Sequence, residues 1–297
     1  MDWAYKAALT AAAVAAVMMA ARLFGRSLAG LLAGLPVITA PALLWLAAEQ
    51  GDAFAAAGAI GSLAACVPAA LFAWSFERLA RRCGVVKASL GAGAVLALSA
   101  LATQPLAGHP LAALLAALLA CTFTLRSVSA RPVSSTWVRP LRGEPWVSAA
   151  LAGVVSAGVA VVAQQAGAFW AGMLSSAPII SACAMLHLRA AGGPGDVTRF
   201  VTGYLPGLLA KALFVFSFAM VAPRLGAVAA FGLAAAAGAA GALALARARH
   251  GAVRGAVVRS GPGNGAGVTP RGDGLAPARA GEPAREPARE TALGPVR

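Results

Sequence analysis

Two segments of the chain combine a helix-breaking proline with a hydroxyl residue three positions later. Pro36 precedes Thr39, and Pro178 precedes Ser181. Proline lacks a backbone N–H, so each one frees a carbonyl that a continuous helix would pair. In lipid such a carbonyl must find another partner or line a cavity, because leaving it bare costs several kcal/mol. The two segments therefore predict polar points at which a small solute can bind.

One ionisable residue, Lys211, lies within the apolar segment PGLLAKALFVF. It is far enough from the segment's ends that its ammonium cannot easily reach the headgroup region. A buried lysine can bind an anion, exchange a proton, or face an aqueous vestibule without a further role. The sequence leaves these alternatives open and makes Lys211 a candidate site residue.

Two further hydroxyls, Ser75 and Ser217, occur in the related segments LFAWSF and LFVFSF. The phenylalanines of each segment are four residues apart, which places them on one helical face: Phe72, Phe76, Phe214 and Phe218. Packing in the core is the favoured interpretation of these rings. The alternative is an apolar pocket wall, for which Ser75 and Ser217 would be the polar points.

No pattern in the chain is typical of an enzyme. There is no carboxylate pair, no H-E-x-x-H, no glycine-rich phosphate loop and no set of Ser, His and Asp at matching depth. The cysteines are widely spaced and form no C-x-x-C pair: Cys66, Cys83, Cys121 and Cys183. The sequence thus predicts a protein without catalytic residues, metal or cofactor.

The composition indicates which elements must position the candidate residues. Of 297 residues, 60% are hydrophobic and 11% are charged, which is too little polar surface for a soluble globule of this size. A helix needs roughly 20 apolar residues to cross the hydrocarbon core. We therefore predict an all-α, polytopic membrane protein with about nine transmembrane helices, at residues 4–21, 28–48, 54–76, 86–104, 108–125, 147–166, 168–188, 199–221 and 225–245.

The net charge of +14 would suggest nucleic-acid binding in a soluble protein. Here the basic residues fall in the loops and in the tail. Membrane lipids with anionic headgroups are therefore the expected partner, and nucleic acid is not.

The chain contains an internal duplication. GLLAGLPVITAPALLWL, from Gly30, aligns without gaps with GMLSSAPIISACAMLHL, from Gly172, at an offset of 142 residues. The same offset pairs the two proline segments and the two phenylalanine segments. Each copy supplies four predicted helices, and one more helix connects them. Because an odd number of spans precedes the start of the second copy, the two repeats are expected to have inverted topology.

Four regions follow from this duplication. We expect a first transmembrane repeat at residues 1–105, a connecting helix with a basic cytoplasmic linker at 106–145, and a second repeat at 146–249. Residues 250–297, rich in Pro, Gly, Ala and Arg, are expected to be a disordered tail. The N-terminus is similar to a secretory signal, but the offset aligns it with the segment from Trp146, so we predict a retained first helix.

The distribution of lysine and arginine predicts the orientation. With the N-terminus outside, nearly all the basic loop residues lie on the cytoplasmic side, and only Lys6 and Arg224 lie outside. The opposite orientation would invert that ratio. By the positive-inside rule we expect a multi-pass protein of the bacterial inner membrane, with its N-terminus outside and its C-terminus in the cytoplasm.

The stretch AFWAGMLSSAPIIS has an aromatic residue, an Ala-Gly pair and a proline six residues after the glycine. This pattern resembles the small four-helix inner-membrane proteins of the GlpM family, over residues 4 to about 105 and 146 to about 246. The resemblance implies an envelope or exopolysaccharide context, since members of that family are linked to alginate production. The chain differs from the family in having two fused copies and an extra helix.

These observations favour a secondary carrier or exporter of a small solute. Its site is predicted at the interface of the repeats, from Pro36, Thr39, Pro178, Ser181, Lys211, Ser75 and Ser217. The alternative is a non-catalytic scaffold or accessory protein in envelope polysaccharide or lipid biosynthesis. In that case the glycines and prolines would only shape helix packing. Whether copies of the chain form a homo-oligomer is left open.

Overall fold

A computed structural model describes residues 19–129 and 167–259, together with residues 8, 12 and 15–17. All elements in these ranges are helices, and the described residues contain no β-strand. The chain divides into two units, Met1–Ala252 and Val253–Arg297. The architecture below is that of the first unit.

The described helices are numbered in chain order from the first whose ends are both defined. Their bounds are α1 Arg26–Gly34, α2 Thr39–Gln50, α3 Asp52–Ala64, α4 Cys66–Arg82, α5 Val85–Ala102, α6 Pro110–Ser129, α7 Gly167–Ser175, α8 Ile179–Ala191, α9 Pro194–Leu225 and α10 Ala227–Arg259. A single 3-10 turn, Gln104–Leu106, lies between α5 and α6.

Seven helical segments in the described part of the chain are long and apolar enough to cross a membrane, as an integral membrane protein requires. They are Arg26–Gln50, Asp52–Arg82, Val85–Ala102, Pro110–Ser129, Gly167–Ala191, Pro194–Leu225 and Ala227–Leu245. Each coincides with one of the predicted spans. The other two predicted spans lie largely (4–21) or wholly (147–166) outside the described residues.

Two of the seven segments are interrupted at a proline, whereas Asp52–Arg82 is divided into α3 and α4 only at Ala65, whose backbone stays helical. The segment Arg26–Gln50 consists of α1 and α2, which are separated around Pro36, and Gly167–Ala191 consists of α7 and α8, which are separated around Pro178. The predicted effect of each proline on its helix is therefore present in the structure. In both cases the backbone leaves the helix instead of merely bending.

The helices that precede the two breaks, α1 and α7, pack closely against α9 and α3, respectively. A methyl group added to Gly30 in α1 would overlap the backbone carbonyl of Phe200 in α9. A methyl group on Gly172 in α7 would overlap the carbonyl of Gly58 in α3. The two contacts are equivalent under the offset of 142 residues, because Gly30 aligns with Gly172 and Gly58 aligns with Phe200.

A second pair of contacts repeats this reciprocity. Gly203 in α9 lies against the carbonyl of Ser27, and Gly61 in α3 lies against the carbonyl of Phe169. Here too one contact becomes the other when both residue numbers are shifted by the offset. Small residues allow helix backbones to approach in this way inside a membrane.

The phenylalanine segments belong to the packed interior, as the favoured interpretation expected. Phe76 in α4 and Phe218 in α9 are fully buried, and the Phe72 and Phe76 rings lie 6.2 Å apart. By contrast, α5, α6 and α10 carry many exposed leucines and valines, including Leu98, Leu119 and Val228. Such apolar outer faces are suited to contact with lipid.

The last described helix is longer than the sequence predicted. The expected span ended at residue 245 and the expected tail began at 250, whereas α10 continues to Arg259. The alanines and arginines at residues 246–249 favour helix, and the two units divide between Ala252 and Val253, close to the predicted start of the tail. The rest of that predicted tail lies outside the described residues.

The glycine contacts yield a stability prediction. Gly172→Ala must push α7 away from α3, so we expect the thermal unfolding midpoint in detergent to fall by about 4 °C or more. Gly93→Ala in α5 is the matched control, since no atom lies within 4 Å of its added methyl group. It should leave the midpoint unchanged or slightly higher because alanine favours helix. Equal midpoints for the two variants would contradict the proposed close approach.

Candidate functional site

The first helix break is held by short-range backbone hydrogen bonds. The Val37 amide donates to the Leu35 carbonyl at 2.8 Å, and the Ala40 amide donates to the Pro36 carbonyl at 2.8 Å. The bond between Val37 and Leu35 spans a single residue and therefore forms a tight turn. Thr39 then begins α2 in a new helical direction.

The second break has the same hydrogen-bond pattern at corresponding positions. The Ile179 amide donates to the Ala177 carbonyl at 2.8 Å, and the Ala182 amide donates to the Pro178 carbonyl at 2.8 Å. The carbonyl of Leu174, which Pro178 was predicted to free, accepts from the Ala177 amide at 3.1 Å. At this break, then, the backbone satisfies itself locally.

Both breaks line one cavity of about 210 Å³. The first contributes residues 32–35 and 37–39, and the second contributes residues 175–181. Helix α9 supplies a third wall at Tyr204, Leu208 and Lys211. These three residues have helical spacing i, i+4 and i+7, so they share the face of α9 that the breaks cover.

Hydroxyl groups form the polar part of the cavity lining. Thr39 and Ser176, from the two different breaks, have their hydroxyl oxygens 3.3 Å apart. The Ser181 hydroxyl donates to the Pro178 carbonyl at 3.0 Å, and its side chain is also hydrogen-bonded to that of Tyr204. The breaks and α9 are thus joined by polar contacts around the cavity.

Lys211 is the only charged residue among those lining the described cavity. Its side chain is 7% exposed, so the ammonium is almost wholly enclosed by protein. Lys211 lies near the middle of α9, far from both helix ends, as predicted.

The structure brings together four of the seven predicted site residues. Thr39, Pro178, Ser181 and Lys211 all line the cavity. Pro36 lies between two lining residues without facing the cavity itself. Its role is to break the helix, as the sequence suggested.

Ser75 and Ser217 are not brought to this cavity. Ser75 is buried, and its hydroxyl donates to the Phe72 carbonyl in its own helix at 3.0 Å. Ser217 is half-buried on α9 and is not among the cavity residues. Ser75 therefore belongs to the packed interior, whereas Ser217 lies at its edge.

Two cavity residues were missed by sequence reasoning. Ser176 and Tyr204 carry hydroxyls that contact Thr39 and Ser181, respectively. A signal for Tyr204 was present, because it is seven residues before Lys211 and so on the same helical face. No sequence signal identified Ser176, whose partner comes from the other break.

A separate polar cluster joins α4 to α9 at the end of the bundle where Arg82 and Pro194 lie. Glu77 is fully buried and pairs with Arg81. The Thr198 hydroxyl accepts from the Arg81 Nη2 at 2.8 Å and donates to the Glu77 Oε1 at 2.9 Å. Glu77 lies one turn before Arg81, but its burial and its contact with Thr198 depend on the packing of α4 against α9.

A neighbouring ion pair joins α1 to α9. The buried Arg26 and Asp196 side chains approach to 3.6 Å between Nη2 and Oδ2. Asp196 also accepts from Arg199 Nη1 at 3.2 Å. Together with Arg189, whose Nε donates to the Ala80 carbonyl at 2.9 Å, these contacts tie four helices together at one end.

We expect Thr198→Val to weaken this end of the bundle. The change keeps the shape of the side chain but removes the hydroxyl between Glu77 and Arg81, at a cost of about 1 to 3 kcal/mol in unfolding free energy. Thr122→Val is the matched control, since the exposed Thr122 hydroxyl bonds only carbonyls of its own helix. Chemical denaturation in detergent should show a loss for the first variant alone. Equal losses of unfolding free energy for Thr198→Val and Thr122→Val would mean that the Thr198 link between α4 and α9 adds no stability.

No protein-family model, no curated protein and no solved structure matched the chain. The resemblance to the GlpM family therefore stays a prediction from the residues. The features that bear on function are the cavity, the two breaks that line it, and the charge that α9 places there.

Proposed function

We propose that the protein is a secondary carrier or exporter of a small solute, with its binding site in the cavity between the two helix breaks. The observation that carries this proposal is that both breaks, at corresponding positions of a duplicated sequence, line the same cavity. Transporters built from repeats bind solutes in this manner, at interrupted helices near the middle of the bilayer.

Reciprocal packing supports two repeats related by a pseudo-two-fold axis. The contact of Gly30 with Phe200 and that of Gly172 with Gly58 exchange under the sequence offset. A two-fold axis relates contacts in this way: for every contact between two residues, the residues equivalent to them also contact each other. With one connecting helix, α6, between the repeats, we infer inverted topology and about nine spans in all.

The charge distribution supports an orientation with the N-terminus outside and the C-terminus in the cytoplasm of a bacterial inner membrane. In this orientation the two polar clusters around Glu77 and Asp196 lie at the cytoplasmic end, where basic residues are favoured. A carrier must separate its helices at one end at a time. The bonds of these clusters are therefore those that must break when the cytoplasmic end opens.

The orientation is tested with single cysteines in whole cells, after Cys66, Cys83, Cys121 and Cys183 have been replaced. We expect Gln104→Cys, in the turn after α5, to react with a membrane-impermeant thiol reagent added outside. Lys87→Cys, at the opposite end of the same helix, should react only after the cells are lysed. The reverse pattern would overturn the proposed orientation.

The carrier proposal is tested in the same background with Thr39→Cys and Ser181→Cys in membranes. We expect a small hydrophilic thiol reagent to label both positions, because a carrier cavity is reached by water from at least one side. Labelling should change in parallel at the two positions when a transported solute is added. Parallel change is expected since both residues line one cavity.

Two control positions make the labelling interpretable. Gln104→Cys reports reagent activity, and Leu119→Cys, whose side chain is 68% exposed on an apolar face, reports reaction from within lipid. Labelling of Gln104→Cys without labelling of Thr39→Cys or Ser181→Cys would contradict the carrier. The breaks would then only shape packing, as in the scaffold alternative.

A further inference from the structure

The ammonium of Lys211 has no protein partner in the described part of the chain. No hydrogen bond or ion pair joins it to another described residue, although the side chain is more than nine-tenths buried. The described carboxylates are engaged or located elsewhere. Glu77 pairs with Arg81, Asp196 pairs with Arg26, Asp52 accepts from the Ala227 amide, and Glu49 is exposed at the end of α2.

A buried ammonium without a counter-charge is costly inside a membrane protein. Intramembrane charges are stabilised by a partner of opposite sign or by water in a cavity. Lys211 faces the cavity and no carboxylate lines it. Since no described residue supplies the missing negative charge, an anion that enters the cavity can supply it, or the lysine can lose its proton.

The two helix breaks favour an entering anion. The first turns of α2 and α8 border the cavity at Thr39 and at Ile179–Ser181. A helix's first turn carries a partial positive charge. Most first-turn amides are already bonded here, since those of Ala40, Ala42, Ile179 and Ala182 donate to nearby carbonyls and position 41 is a proline, so the attraction comes mainly from this charge. Anions bind at such positions. Lys211 and both helix N-termini thus present positive potential to one enclosed space.

The size and lining of the cavity restrict the anion. A volume of about 210 Å³ favours a small ligand, because sites for drug-sized ligands are about 300–1,000 Å³. One lysine provides a single full positive charge. The remaining wall is largely apolar, with Leu32, Leu35, Val37 and Leu208 among its residues. A small organic monoanion fits all three features.

We propose that the cavity binds a small monocarboxylate, with its carboxylate between Lys211 and the N-termini of α2 and α8 and its apolar part against the leucines and valine. The hydroxyls of Thr39 and Ser176, which lie 3.3 Å apart, provide further polar groups on the cavity wall. The role of this anion in transport rests on the proposed carrier function. Its binding can be measured without transport.

The test uses the full-length protein in a neutral detergent, with butyrate as the probe. At about 50 mM butyrate we expect the thermal unfolding midpoint to rise by about 3 °C or more relative to an equal concentration of chloride. Butyramide has the same shape without the charge and should give no rise. Lys211→Gln should abolish the butyrate effect. Lys87→Gln, which removes an exposed lysine, should retain it.

A second measurement needs no variant at the site. In the wild-type protein, reductive methylation followed by mass spectrometry reports how reactive each lysine is. Butyrate should protect Lys211 and leave Lys87 unprotected, whereas butyramide should protect neither. This readout decides the proposal even if Lys211→Gln fails to fold.

Several outcomes would overturn the proposal. Equal effects of butyrate on the wild type and on Lys211→Gln would place the anion elsewhere. Stabilisation by phosphatidylglycerol but not by butyrate, lost with Lys211→Gln, would make a lipid phosphate the occupant. The absence of both effects, with Thr39→Cys and Ser181→Cys still labelled, would reject the anion but not the carrier. An unlabelled cavity would reject the carrier itself.

Discussion

The structure depends on the close crossing of the helices that precede the two breaks, α1 and α7, with α9 and α3, respectively. At Gly30, Gly172 and their partners, the backbones approach so closely that a single methyl group would overlap a carbonyl oxygen. Close approach brings dispersion contacts and Cα–H···O contacts, which matter in lipid because there is little hydrophobic drive between helices. Since Gly30 and Gly172 each lie six residues before a break, the crossings also bring the two breaks to opposite sides of one cavity. Wider crossings would separate the hydroxyls of Thr39 and Ser176, which now lie 3.3 Å apart.

Polar groups inside the bundle are largely satisfied over short distances. The Ser62 hydroxyl donates to the Gly172 carbonyl at 2.9 Å, directly at one of the crossings, so the approach of α3 and α7 is both steric and polar. At the end of the bundle the carboxylates of Glu77 and Asp196 have arginine partners. Among the described residues, buried Trp74 Nε1 and His187 Nε2 have no hydrogen-bond partner either, but Lys211 differs from both in carrying a full charge and in lining the cavity. Exceptions of this kind in otherwise satisfied interiors are expected at functional sites.

The sequence predicted the features that arise locally or from the duplication. Span positions follow from apolar length, and the breaks at Pro36 and Pro178 follow from the missing proline N–H, so both were accessible without a structure. Features that depend on which helices are neighbours were not accessible. Ser176 contacts Thr39 only because α1 and α7 are brought together by crossings with two other helices. The burial of Glu77 depends on Thr198 in α9, far away in sequence. Ser75 and Ser217 were placed beside a pocket by their phenylalanines, but those rings face the packed interior.

The two helix breaks are alike in their backbone hydrogen bonds but their surroundings differ in charge, and under the proposed function this difference constrains the carrier mechanism. The offset pairs the two breaks, so exchange of conformations between the repeats would leave equivalent helix N-termini at the cavity in either state. The counterpart of Lys211 is Ala69, which carries no charge. The ammonium would therefore remain attached to α9 and approach the N-terminus of α2 in one state and that of α8 in the other. Under the proposed function, a bound anion would follow the lysine between two nearly equivalent half-sites. The duplicated backbone would then provide the two states, and the single lysine would provide the ligand's continuous counter-charge through the exchange.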